Sequence, residues 1–342
     1  MSYKNTLLRF LHRTVFSSPS PPMPITPQRI LAVSTTALGD TLWTMPALAA
    51  LRSDFPEAYL ALLTSDIGLE ITRYNPWTDA TYLLDRPWHL WHHLRKQFDT
   101  VILFHASQRI VPALCASLGA KRLIGTKGLH KGLDDLFTHT IPLTAQHEVD
   151  RRLALVKHLG GSAKKSPLSF FLKPEEKKTL DGIWVALHPG AKDSYKCWPI
   201  EHFAAVGRAL EQTFSCHLLI TGGKEERPLM ENLKKRLPNA TLLDHTLSLR
   251  EFAATLDAVG LLISNDTGPF HLACAVETPA IGIYSPTDPA LCGPYESKTA
   301  IICSKPPTCR PCLRRKCREP FCLLQISPEE VFQQACRLLN VS

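Results

Sequence analysis

No apolar run in this 342-residue chain approaches the roughly 18–20 residues that a helix needs to cross a bilayer. Neither Gly-x-Gly-x-x-Gly nor Gly-x-x-x-x-Gly-Lys-[Ser/Thr] occurs. The first absence disfavours a nicotinamide or flavin dinucleotide enzyme, and the second leaves any phosphate to be held by another kind of loop. No recognised nucleic-acid module is present, and the basic residues are scattered. The formal net charge of +8 therefore points to phosphate-bearing small molecules and acidic lipids, with no nucleic acid expected. A secretory signal is also missing. Residues 1–16 hold Leu7, Leu8, Phe10 and Leu11, but Arg9 and His12 interrupt them and no small-residue cleavage site follows. This stretch reads either as a short basic amphipathic helix on a membrane surface or as an irregular terminus. Pro19 to Pro27 reads as an extended linker. Eleven cysteines without a secretion signal suggest reduced thiols and a cytoplasmic location.

From Arg29 onward, short apolar runs alternate with helical spacing. Strands are expected at Ile30–Ser34, Tyr59–Thr64, Thr81–Asp85, Thr100–His105 and Lys121–Gly125, with a helix from Thr41 to Arg52. The pattern restarts at Ile183–His188 and continues through His217–Thr221, Thr241–Leu243, Leu261–Ser264 and Ala280–Tyr284. Continuous apolar strands joined by crossover helices make parallel sheets covered on both faces. The fold class is therefore α/β, with two doubly wound, Rossmann-like domains facing a central cleft. The divisions expected are an extension and linker (1–27), a first domain (28–165), a second domain (166–325) and a C-terminal helix (326–342) placed to pack back on the first domain.

Ligand residues in such sheets lie just after strands. In the second half, Leu261–Ile263 stops at Ser264-Asn265-Asp266-Thr267-Gly268, and a helical run from Pro269 follows. The amides and dipole at that helix start suit a phosphate, while Asp266 and Thr267 are placed to cap it. Gly268 permits close approach of a ligand. After Ile183–His188 comes a loop with Lys192 and Lys196, either of which reads as a solvated lysine or, for Lys196, as a cation for a departing diphosphate. Thr221-Gly222-Gly223 precedes Lys224-Glu225-Glu226, where a carboxylate can accept from ribose hydroxyls. In the first half, Gly39 and Asp40 follow the first strand. Asp40 reads as a general base for a hydroxyl or as a helix N-cap.

Taken together, ALGDTLWTMPAL (37–48), HPGAKDSYKCWP (188–199), TGGKEE (221–226), SNDTGPFHLACAVETPAIGIY (264–284) and CLLQISPEEV (322–331) resemble glycosyltransferase family 9, the bacterial lipopolysaccharide heptosyltransferase family. The resemblance covers nearly all of residues 29–340. It implies a GT-B fold, a nucleotide-sugar donor (ADP-heptose), an anionic glycolipid acceptor at the cytoplasmic face of the inner membrane, and inversion at the anomeric carbon. It makes Asp40, beside Gly39, the catalytic base. It gives Lys196 and the turn of Asp266, Thr267, Gly268, Pro269 and His271 to the donor diphosphate, and Glu225 or Glu226 to the nucleoside. No catalytic metal is implied, in keeping with the absence of an Asp-x-Asp pair. The chain departs from the pattern at Ser34 and Thr36, where the family often carries an arginine two residues before a serine, and at Ser285, where it often carries glycine.

Other segments carry separate readings. Cys303, Cys309, Cys312, Cys317 and Cys322 supply enough thiolates for a structural zinc, among the cations Arg310, Arg314, Arg315, Lys316 and Arg318. His89 and His93 fall i, i+4 within Trp88–His93, a spacing open to metal but better read as a partly exposed amphipathic helix. Two rival functions fit the same fold: a nucleotide-sugar epimerase, and a non-catalytic nucleotide-sugar or glycolipid binding protein.

Overall fold

A computed structural model describes residues 26–340 except 145, 244, 245, 308, 310, 311, 313–316 and 318–320. The N-terminal readings through residue 25 and the five cations of the cysteine-rich loop lie outside the described residues. Internal contacts divide the chain into a first unit, 1–166, and a second, 167–342.

The first unit is one parallel sheet of six strands: β1 (Arg29–Thr35), β2 (Tyr59–Thr64), β3 (Ala80–Leu83), β4 (Thr100–Ala106), β5 (Arg122–Thr126) and β6 (His139–Ile141). Their order across the sheet is β3-β2-β1-β4-β5-β6. Its centre is buried on both faces, as the unbroken apolar runs of β1, β2 and β4 require. Leu31, Val33, Ala61, Leu63, Val101 and Leu103 meet Val111, Leu114 and Leu118 of the crossover segments in a single core. β1 pairs with β4 from Ile30↔Thr100 to Val33↔Leu103, and then Ser34 faces His105 across a one-residue bulge.

The second unit repeats the plan with β7 (Trp184–His188), β8 (His217–Ile220), β9 (Thr241–Leu242), β10 (Leu261–Asn265), β11 (Ala280–Tyr284) and β12 (Ala300–Ser304). Their order is β12-β11-β10-β7-β8-β9, the same topology read from the other edge. The switch points of such sheets, where successive connections leave in opposite directions, lie between β1 and β4 and between β7 and β10.

The structure adds local detail. The single helix from Thr41 is two, Leu38–Leu42 and Met45–Asp54, because Pro46 lacks an N–H and starts a helix more readily than it continues one. β6 and β12 are additional strands: β6 has one apolar residue, Ile141, whereas β12 is apolar from Ala300 to Cys303, and each is paired along only one edge. The C-terminal helix, Pro328–Leu339, turns Val331, Ala335 and Leu339 into the core of the second unit, packing on the helix Ile200–Phe214 and on β10, β11 and β12. Its i, i+4, i+8 apolar spacing is thereby used inside that unit. Among the described residues no helix is long and apolar enough to cross a membrane.

Candidate active site

In the first unit Asp40 stands at the end of β1, in the first turn of the helix Leu38–Leu42. The cap position belongs to Ala37, so the N-cap reading of Asp40 does not hold. Thr44 reaches back with its hydroxyl to the Asp40 carbonyl (3.0 Å) and lies 3.1 Å from Ser34 Oγ. A buried arginine completes the cluster. Arg152, on the helix Glu148–His158, donates from Nε to Thr44 Oγ1 (3.2 Å), from Nη1 to the carbonyl and carboxylate of Glu148 (both 2.8 Å), and from Nη2 to Asp40 Oδ1 (3.4 Å). The β1–β4 bulge sets His105 opposite Ser34, and its Nδ1 comes within 3.8 Å of Asp40 Oδ1. Burial holds the His105 imidazole below its ordinary pKa; Asp40 opposes that shift and Arg152 adds to it. Burial of Glu148 works against its ionisation, but Arg152 and then Arg151 carry its carboxyl below the usual range.

The second unit gathers loops from four neighbouring strands. Lys196, from the loop after β7, donates to Asp266 Oδ2 at 2.5 Å, at the end of β10. Asp266 is almost buried, at 7% exposure of its side chain, whereas Lys196 keeps 21%. Tyr284, ending β11, is wholly buried; burial and the neighbouring Asp266 carboxylate push its hydroxyl well above its ordinary pKa. Asn265 ties the same loops together. Its Oδ1 accepts the Trp198 N–H (2.9 Å), and its Nδ2 donates to the carbonyls of Pro189 (2.8 Å) and Gly190 (3.1 Å).

The pair Glu225 and Glu226 separates cleanly. Glu225 is exposed, while Glu226 folds back to accept from the Gly223 N–H (2.7 Å) and to lie 3.7 Å from His188 Nε2. Gly190 exists to make room for it: a Cβ there would fall 1.9 Å from Glu226 Oε1. His188, buried and held by Thr221 at 3.0 Å, has its pKa lowered by burial, with Glu226 opposing. Thr267 occupies the cap position of the helix Gly268–Ala275 but makes no side-chain cap bond, and Asp266 pairs with Lys196 instead of capping. Gly268 and Pro269 open that helix, and His271 is buried within it beside Phe270.

Reasoning from sequence missed Arg152, Glu148, His105 and Thr44 in the first unit, and His188 and Asn265 in the second. Glu148 and Arg152 are i, i+4, an ordinary helix pair, and nothing local ties them to an aspartate 112 positions away. His188 and Asn265 had a signal, since each ends a strand within a quoted motif.

Among the described residues no group of three or more His, Cys, Asp or Glu side chains is placed to hold a metal ion. Cys303 and Cys322 are buried, and burial pushes the Cys303 thiol up to about 12. In the Pro87–Leu94 helix, His93 stacks edge-on against Tyr82, and Leu90 and Leu94 face inward while Trp88 is exposed.

Residues 87–322 match the family model described as glycosyltransferase family 9 (heptosyltransferase). The chain belongs to glycosyltransferase family 9. Among its family 9 relatives is lipopolysaccharide heptosyltransferase 3 of Escherichia coli, 26% identical over 286 residues, with 76% of this chain and 84% of the relative covered. The family 9 glycosyl transferase of Veillonella parvula superposes with a TM-score of 0.80 at 21% identity, over 92% of this chain and 98% of that one. An E. coli heptosyltransferase solved with ADP gives a TM-score of 0.75 at 22% identity, over 91% and 100%. With its two parallel sheets, this family 9 chain has the GT-B fold.

Proposed function

We propose that the chain is an inverting glycosyltransferase that moves heptose from ADP-heptose onto a lipopolysaccharide inner-core acceptor, at the cytoplasmic face of the membrane. Family membership supports the reaction class. The observation that carries the assignment of donor groups is the meeting of Lys196 with Asp266 at the switch point of the second sheet, and of Glu226 with Gly190 at the neighbouring ends of β7 and β8. Those loops offer an ammonium and a helix start to a diphosphate, and a carboxylate to ribose hydroxyls. Asp266, Thr267, Gly268, Pro269 and His271 belong to the same donor site.

In the step proposed, Asp40 accepts the proton of an acceptor hydroxyl while that oxygen forms a bond to the anomeric carbon. The bond from the same carbon to the diphosphate oxygen breaks on the opposite face, and its electron pair leaves with ADP. Lys196 and the Gly268 helix start stabilise the charge that develops on the diphosphate. A single displacement of this kind inverts the anomeric centre. Glu226, not Glu225, is the carboxylate assigned to the nucleoside.

The test is ADP release from ADP-heptose, with and without a deacylated lipid A–Kdo acceptor. Acceptor-dependent release is expected, reduced about 10²–10⁴-fold in Asp40→Asn as for a lost general base. Lys196→Ala should cost about 10²–10³-fold as for a lost charge-stabilising donor. Conversion of the donor without acceptor would indicate an epimerase. Tight ADP-heptose binding without turnover, unchanged in Asp40→Asn, would indicate a binding protein.

A further inference from the structure

We propose that Arg152 is the positioning residue for Asp40, fixing the carboxylate so that one oxygen is held and the other is presented to the acceptor hydroxyl; this rests on the reading of Asp40 as the base. Arg152 is 1% exposed, yet its charge is already met by the Glu148 carboxylate at 2.8 Å, with a second 2.8 Å bond to the Glu148 carbonyl. A purely structural ion pair would stop there. Instead Nη2 extends to Asp40, and Nε holds Thr44, whose own hydroxyl fastens the Asp40 carbonyl. The side chain and the backbone of Asp40 are thus tied to one planar group, whose donors keep fixed relative directions.

The contacts select an oxygen. Arg152 Nη2 and His105 Nδ1 both address Oδ1, at 3.4 and 3.8 Å. Among the described residues no bond is made to Oδ2, while the side chain as a whole keeps 26% exposure. Arg151 also pairs with Glu148 at 2.8 Å, so Glu148 is held by two guanidiniums while Asp40 is reached by Arg152 alone, at the longer distance of 3.4 Å. The Arg152 guanidinium also explains Ser34. A cation on β1 is lacking there, and Ser34 Oγ instead meets Thr44 Oγ1 at 3.1 Å, the same hydroxyl that Arg152 Nε holds. Positive charge reaches the end of β1 from the helix Glu148–His158 instead of from the strand itself.

A base held in the productive rotamer gains through orientation, and its release costs rate and not affinity. Arg152→Met is expected to lower kcat for acceptor-dependent ADP release about 100-fold while changing the KM of either substrate less than about twofold. Arg152→Lys, which keeps charge without the fork, should fall between. Thr44→Val, which keeps side-chain volume, should lose about 3–10-fold in kcat. Added to Asp40→Asn, none of the three should cause further loss. Losses that multiply in that background, or that appear as a raised KM, would overturn the proposal. If Arg152→Met does not fold, Arg152→Lys and Thr44→Val complete the same cycle. If the parent releases no ADP from this substrate pair, the substrate reading fails on its own. The crystal structure of Thr44→Val and of Arg152→Lys then decides the positioning role: Asp40 turned from its parent rotamer supports it, and Asp40 unmoved in both refutes it.

Discussion

Replacing Asn265 by alanine should destabilise the second unit far more than loss of one exposed polar residue would. The side chain is 0% exposed and makes three bonds to the backbone, to the Trp198 N–H and to the Pro189 and Gly190 carbonyls. Alanine removes all three at once and leaves one donor and two acceptors in buried surroundings. Each orphaned group costs about 1–3 kcal/mol when it stays dry. Some relief from water or loop movement is expected, which leaves a net loss of about 3–5 kcal/mol. For a unit of this size that corresponds to a fall of about 6–20 °C in Tm. Trp198 is also bonded through Nε1 to the Ile326 carbonyl at 3.0 Å, so the disturbance extends toward the C-terminal helix. Differential scanning calorimetry of the full chain measures the shift, with Gln212→Ala as an exposed-helix comparison. A loss below about 1 kcal/mol would refute the view that these bonds hold the loops together.

Two further outcomes follow from the same geometry. Gly190→Ala places a Cβ 1.9 Å from Glu226 Oε1, and the flexible carboxylate end will give way in preference to the backbone. ADP affinity measured by titration calorimetry should then fall about tenfold, the equivalent of about 1.4 kcal/mol, while Tm moves little and Glu225→Gln leaves ADP binding within twofold. An unchanged Kd in Gly190→Ala would remove Glu226 from the nucleoside site. Glu176 is held by Arg250 through two 2.5 Å bonds, and these bring its carboxyl down to about 2 from the ordinary 4.5. Because the folded pKa is depressed, the contact contributes fully above the unfolded value and is lost as the pH falls through about 2. Glu176→Gln should therefore be less stable than the parent in urea at pH 6, and the difference should shrink steadily below pH 4.5.

The long apolar strands were readable because a doubly covered parallel strand has to be apolar throughout. β1, β4, β7 and β10 carry that signature, and so the topology and the strand-end position of each motif could be anticipated. β6 escaped notice because its three residues include a single apolar one, while β12 escaped notice although Ala300–Cys303 is an unbroken apolar run. The split between Leu42 and Met45 turned on a single proline whose effect competes with good helical spacing around it. At the candidate site, Lys196, Asp266 and Glu226 stood in loops that sequence could place after strands. Arg152 could not be found that way. Its partners Glu148, Thr44 and Asp40 come from two segments more than a hundred residues apart, and only the folded sheet brings them together. Nor could sequence choose between Glu225 and Glu226, since the choice depends on the space that Gly190 leaves open.

The strand order of the second unit has a consequence during synthesis. β7, its first strand, pairs with β10, so a ribosome must add more than seventy residues before that strand gains its second neighbour. The face formed by β10, β11 and β12 is then covered by Pro328–Leu339, which follows every strand of the sheet in order of synthesis. Until that helix emerges, the apolar side chains that meet Val331, Ala335 and Leu339 remain open to water and to other nascent chains. The second unit therefore closes its core only once residues 328–339 have been made.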